Sequence, residues 1–274
     1  MIGTVGPVHY RSGMIDERAP LPASAARVAE DHLRRLDALV PGLVTGMHVV
    51  GSAALGDYHD GVSDLDVVAE LSREPGDDEL AALAEAHTGS GFQVQASYVR
   101  EGELDGPPEQ VADGPWANEG RLRAGERSAE LNPVTWLVLA RHAISVRGRK
   151  PRTPMDVPAA REFCRQNLAS YWAPLLDQSA VLLSGRERGS PVLPDPVLWI
   201  ALGPARPWHT VRTGEVISKT RAGEVAAEHW TDLAEPLAAM VEARAGKPVR
   251  LTVEHGEAAL ELGRRILADV RTCS

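Results

Sequence analysis

Asp64 and Asp66 alternate with Leu65 and Val67 at the spacing of a β-strand. In an extended chain this puts both carboxylates on one face, with Cα atoms roughly 6–7 Å apart, and the apolar partners on the other. Two like charges on one face repel each other, and a divalent cation between them removes the conflict. Mg²⁺ suits such a pair, because it takes carboxylate oxygens and completes its shell with water and substrate phosphates. Upstream stand Gly51 and Ser52, just after an apolar run, where a glycine permits close backbone approach and a serine offers a hydroxyl to a phosphate. Ser63 directly precedes the first aspartate. The chemistry these residues suggest is metal-assisted work on a phosphate.

The flanking sequence says how they are held. Apolar positions from Ala23 to Val40 approximate helical spacing, and Pro41-Gly42 ends that helix. Val44 to Val50, Leu65 to Leu71 and Phe92 to Val99 read as strands, with an acid-led amphipathic helix from Asp77 to His87 between the last two. Asn132-Pro133 is an N-cap followed by proline, predicting a helix to about Val146. Arg147 to Pro158 is rich in Arg, Pro and Gly and reads as a basic linker. Beyond it strand signals fade, and helical patterns cover Ala159 to Leu183, Glu224 to Ala245 and Glu254 to Val270. The expected fold is α/β at the N-terminus, a small mixed sheet with helices, followed by an all-α C-terminal domain. The boundary is placed at residues 1–155 and 156–274.

The 274 residues carry 29 Lys+Arg against 38 Asp+Glu, a net charge of −9, which argues against a nucleic-acid partner. No apolar run approaches the ~18 residues of a membrane span, and no secretory signal is visible, so a cytoplasmic protein is expected. Cys164 and Cys273 form no CxxC motif and read as idle thiols. The nine histidines show no HExxH spacing.

Gly51-Ser52-Ala53, Gly56 and Ser63-Asp64-Leu65-Asp66 together resemble the signature of the nucleotidyltransferase superfamily. The sequence is most similar to the aminoglycoside 3''-adenylyltransferases, which modify streptomycin and spectinomycin. A second matching segment, Thr213-Gly214-Glu215-Val216-Ile217-Ser218-Lys219, is followed by Ala222 and Trp230. Arg206, thirteen residues before Lys219, falls where the family carries an arginine. The resemblance implies Mg²⁺ on Asp64 and Asp66 and ATP as co-substrate, with Gly51, Ser52, Ser63, Arg206 and Lys219 on the nucleotide. AMP would pass to a hydroxyl of an aminoglycoside-like small molecule. Trp116 matches a tryptophan that stacks on the antibiotic, and the family's acidic substrate contact falls near Pro196, one residue from Asp195.

The pattern departs from the family in places. The third carboxylate, on the neighbouring strand, is replaced by Gln93, with Gln95 on the same face. Glutamine takes up no proton, so the expectation is either a base elsewhere, for which Glu101 and Glu103 lie just beyond the strand, or a transfer that needs none. The alternative is a nucleotide-binding homologue with a different acceptor, or one whose catalysis is impaired by Gln93. Gly203-Pro204 and Pro207 fall inside what the family builds as a continuous helix, and proline there predicts a break or kink.

Overall fold

A computed structural model describes residues 21–88 and 94–272. Its sheet contains β1 (Val44–Val49), β2 (Leu65–Leu71), β3 (Val94–Arg100), β4 (Gly114–Asn118), β5 (Arg121–Glu126) and β6 (Ile144–Arg147). Their spatial order is β5-β4-β3-β2-β1-β6, mixed in direction: β2 and β3 are parallel, and the other neighbours antiparallel. The helix α1 (Ala23–Leu39) precedes β1, α2 (Gly51–Ala54) is a single turn after it, and α3 (Asp77–Thr88) joins β2 to β3. That crossover is what allows two sequential strands to run parallel.

The two faces of β2 are used differently. Leu65, Val67, Ala69 and Leu71 enter a core built with α1 and α3. Val68 points the other way, into a second core with Leu137, Leu139, Ala160 and Val216. Asp66 alternates onto this second face, so the helices that follow the sheet can reach it.

Those helices are α4 (Pro133–Arg141), α5 (Val157–Asn167), α6 (Ala173–Leu183), α7 (Pro194–Thr213), α8 (Lys219–His229), α9 (Ala234–Arg244) and α10 (Val253–Thr272). Asn132 caps α4: its Oδ1 accepts from the N–H groups of Val134 and Thr135 at 3.0 and 3.1 Å. A third core lies wholly within residues 168–266 and centres on α7 and α10, with Trp172, Trp208 and Ile266 buried.

Several expectations need correction. The helix predicted from Asn132 to Val146 stops at Arg141, and Ile144–Arg147 is an edge strand instead. The basic linker is tied down, because Arg147 pairs with Asp37 at 2.6 Å and Arg149 with Asp105. Trp116 lies on β4, in a stretch that carries no strand expectation above. Glu224 to Ala245 is divided between α8 and α9. The α7 helix runs unbroken through Pro204 and Pro207. Its buried residues Gly203, Ala205 and Trp208 are clamped in the third core, and that packing outweighs the local cost of proline.

Candidate active site

Asp64 immediately precedes β2 and Asp66 is its second residue. The Val50 N–H donates to the Asp66 carbonyl at 2.9 Å, which closes the end of β1 onto β2. Gly51 follows with φ +60°, and a Cβ there would overlap Asp66 Oδ2 and come within 2.6 Å of its Cγ. Glycine is therefore required at this point on two grounds: the left-handed backbone and the space its missing side chain leaves to the carboxylate. Ser52 Oγ is buried without a hydrogen-bond partner. The Ser63 hydroxyl accepts from the His59 N–H at 3.0 Å and so closes the turn that leads into Asp64.

The strand beside Asp66 is β3, and the register sets Asp66 opposite Gln95. The Gln95 side-chain amide donates to Asp64 Oδ2. Gln93 lies outside the described residues, and the glutamine that the register seats beside the pair is Gln95. Glu101 and Glu103 stand at the far end of β3, about 20 Å along the strand from Gln95 at ~3.3 Å per residue. Glu103 is also occupied, accepting from the N–H groups of Arg100 and Ala112 at 2.7 and 3.3 Å. Neither can serve as the expected base.

The Thr213–Lys219 segment is a helix–turn–helix junction. Gly214, with φ +76°, terminates α7 in the left-handed conformation, and a Cβ there would meet Val157 Cγ1 at 2.6 Å. Ser218 caps α8 by accepting from the Arg221 N–H at 3.2 Å, which makes Lys219 the first helical residue. Arg206 Nε donates to the Ile217 carbonyl at 3.2 Å, fastening α7 to the junction. The result brings Arg206 and Lys219 to the carboxylate pair.

The electrostatics reflect that convergence. Burial raises the Asp66 carboxyl above its ordinary value, Asp64 and Glu130 add to the rise, and Arg206 and Lys219 oppose it. Burial lowers Lys219, as do Arg244 and Arg206, against the pull of Asp64 and Asp66. Burial likewise lowers Arg206. Four buried or half-buried charges of both signs thus share one region, where a polyanion bridged by a cation would compensate each of them. Asp57 braces the arrangement: it accepts from the Thr220 N–H at 3.2 Å, contacts His59 Nε2 at 3.0 Å and pairs with Arg244 at 3.5 Å.

Among the described residues, no group of three or more His, Cys, Asp or Glu side chains forms a metal cage. Two carboxylates with the remaining positions open nevertheless match the donor set of Mg²⁺, which leaves room for water and phosphate. Space at Gly51 keeps the Asp66 carboxylate unobstructed.

A cavity of about 260 Å³ opens from Asp66 and Gln95 past Ser97 to Trp116, Asn118 and Glu130. Trp116 Nε1 and Asn118 Oδ1 are buried there without hydrogen-bond partners. One face of the Trp116 ring carries the Arg123 guanidinium, 4.6 Å from the centroid. Asp195 is exposed in the first turn of α7, about 16 Å along the helix axis from Arg206 at ~1.5 Å per residue, and one turn from Trp199, whose ring centroid lies 4.8 Å from Lys219 Nζ.

Residues 29–105 match the family model of the nucleotidyltransferase domain. That stretch is similar to a nucleotidyltransferase domain. The matched stretch holds Gly51, Ser52, Asp64, Asp66 and Gln95. Among solved structures, the fold is similar to a spectinomycin adenyltransferase, AAD(9), from Enterococcus faecialis, crystallised with ATP and spectinomycin. The TM-score is 0.61, covering 88% of this chain and 98% of that one at 14% identity, so the likeness concerns the fold, helical C-terminal part included. No curated protein matches the sequence significantly.

Three residues around the aspartate pair escaped sequence reasoning. Arg244 ends α9, with no local mark to single it out. Arg123 alternates with Arg121 after Trp116, a faint strand signal. Glu130 sits two residues before the Asn132 cap, where an acid reads as a helix-dipole partner.

Proposed function

We propose that this protein moves AMP from ATP to a hydroxyl of an aminoglycoside-like small molecule. The observation that carries the reading is the convergence of Arg206 and Lys219, from the helical part, on Asp64 and Asp66, which lie in the stretch similar to a nucleotidyltransferase domain. The similarity in fold to an adenyltransferase crystallised with ATP and spectinomycin supports the donor and the class of acceptor. Asp64 and Asp66 would hold Mg²⁺, which when bound offsets negative charge on the phosphates and orients them for in-line displacement.

Each remaining part of the site has work that its chemistry suits. Gly51 brings backbone close to the phosphates and Ser52 offers them its unpartnered hydroxyl, while Ser63 holds the loop that presents Asp64. Lys219 acts as a point charge and Arg206 as a planar donor toward the departing pyrophosphate, with Arg244 adding positive potential. Trp116 forms a wall of the acceptor cavity. Asp195 would meet only the outer part of an extended acceptor. An acidic chain draws polycations at long range, and the small-molecule acceptor excludes a need for nucleic acid. A cytoplasmic location, where ATP and Mg²⁺ abound, fits this chemistry. No described helix is long and apolar enough to cross a membrane. Residues 1–155 would form the nucleotidyltransferase unit and 156–274 the helical unit that supplies the cations.

Incubation with ATP, Mg²⁺ and a panel including streptomycin and spectinomycin should release pyrophosphate and yield an adenylylated drug. No release with any member overturns the acceptor. Calorimetry with ATP and Mg²⁺ should show binding that Asp64→Asn abolishes, and unchanged binding overturns the metal site. A second reading, nucleotide binding without turnover, is favoured by one observation: glutamine stands beside Asp66 on β3. Binding without pyrophosphate release would select it.

A further inference from the structure

The acceptor hydroxyl must lose a proton as it attacks, and the strand residue beside Asp66 is an amide that cannot take one. Among the described residues, only two carboxylates line the cavity at Trp116, namely Asp66 and Glu130. Asp66 lies against Gly51 and would be engaged by the cation. Asp64 is bonded by Gln95, Asp57 by Thr220 and His59, and Glu103 by two backbone N–H groups. Glu130 is different: its exposed carboxylate makes no hydrogen bond or ion pair with another described residue. Its charge still bears on both Asp66 and Arg206, which places it within electrostatic reach of the reacting centre.

The backbone that carries Glu130 is held firmly. Ser128 Oγ accepts from Ser97 Oγ of β3 at 2.8 Å, and the Glu130 N–H donates to that same Ser128 oxygen at 3.3 Å. Arg127 donates to the carbonyls of Val111 at 2.7 Å and Leu131 at 3.0 Å, and to that of Pro108. The Glu130 carbonyl accepts from the Asn132 N–H at 3.0 Å, at the mouth of α4. A loop tied to β3 on one side and to a capped helix on the other holds its side chain at the cavity wall.

We propose that Glu130 is the general base of this enzyme, supplied from the loop between β5 and α4 in place of the carboxylate that β3 lacks. The assignment rests on the transfer reaction proposed above. The acceptor O–H proton passes to a Glu130 carboxylate oxygen while the acceptor oxygen bonds to the α-phosphorus of ATP. The bond from that phosphorus to the bridging oxygen breaks, and pyrophosphate leaves with the electron pair. The base thus comes from the acceptor's side of the cavity and not from the sheet, so that acceptor and base occupy one wall.

The test compares wild type, Glu130→Gln, Glu130→Asp and the double variant Gln95→Glu/Glu130→Gln. Pyrophosphate release is followed with ATP and Mg²⁺, with streptomycin or spectinomycin present and with water alone in the acceptor's place. Glu130→Gln should lower kcat about 10²–10⁴-fold and leave the KM for ATP unchanged. Glu130→Asp should recover part of the loss, and the double variant should recover part by restoring a carboxylate on β3. A Glu130→Gln enzyme with wild-type kcat overturns the assignment while leaving the transfer reaction intact. A loss that neither Glu130→Asp nor the double variant relieves also overturns it. Wild-type protein that releases no pyrophosphate under either condition overturns the transfer reaction, and the base with it.

Discussion

Gly51→Ala is the most informative single change. Two costs are built into that position. The left-handed backbone at φ +60° costs an L-residue about 1–2 kcal/mol. The new methyl would also overlap Asp66 Oδ2 and lie 2.6 Å from Cγ and 2.9 Å from Cβ, so the whole carboxylate must swing away. Gly42 separates the two effects, because it shares the backbone conformation at φ +74° and has nothing within 4 Å of a built Cβ. Gly42→Ala should therefore lose about 1–2 kcal/mol of stability and keep full affinity for ATP with Mg²⁺. Gly51→Ala should lose at least as much, and bind ATP with Mg²⁺ more than ~10-fold more weakly, the scale on which displaced metal-site groups act. At ~2–4 °C per kcal/mol the melting temperature should fall in both variants, while calorimetry distinguishes them. If Gly51→Ala binds as tightly as Gly42→Ala, Asp66 does not hold the cation and the reasoning fails.

Other perturbations probe separate parts of the molecule. Lys219→Met should lower kcat by about 10²–10³ in pyrophosphate-release assays with the acceptor KM nearly unchanged, and an unaltered kcat would remove Lys219 from the site. Arg123→Ala should uncover the Trp116 face and lower the KM for a polycationic acceptor about 2–5-fold, the worth of one exposed cation–π contact; a raised KM would mean that the arginine itself binds the acceptor. The His32 and His87 rings meet at a tilt with centroids 4.7 Å apart in the α1–α3 packing, and burial lowers them from 6.5 to about 3 and about 4. Both are protonated more readily in the unfolded chain, so their contribution is complete above pH ~6.5 and is lost as pH falls toward 4. Urea titrations should show roughly 2 kcal/mol lost per histidine between pH 7 and pH 5, and His32→Leu should flatten that slope; equal slopes would place the acid sensitivity elsewhere.

What could be read from the sequence follows from how local each feature is. Leu65-Asp66-Val67 announces a strand and its polar face, because alternation is a property of five consecutive residues. The two ends of α7 and α8 are similarly local: Gly214 as a left-handed terminator and Ser218 as a cap explain why Lys219 opens a helix. The continuity of α7 is not local. Pro204 and Pro207 argue against a helix on propensity alone, and only the burial of Trp208 and Ala205 among α10 and its neighbours overrides that local preference. The strands β4 and β5 were illegible because they are rich in Gly, Pro and exposed Arg; β4 exists by pairing with β3, and β5 by pairing with β4. The choice between Gln93 and Gln95 depends on the register of β2 against β3, which the twenty-two residues between the two strands do not encode locally. Glu130 is the extreme case. Its relevance arises because a loop 64 residues after Asp66 folds back over the same cavity. The carboxylate missing beside Asp66 is legible in the sequence and the free one on that loop is not, and only the shared cavity makes the second an answer to the first.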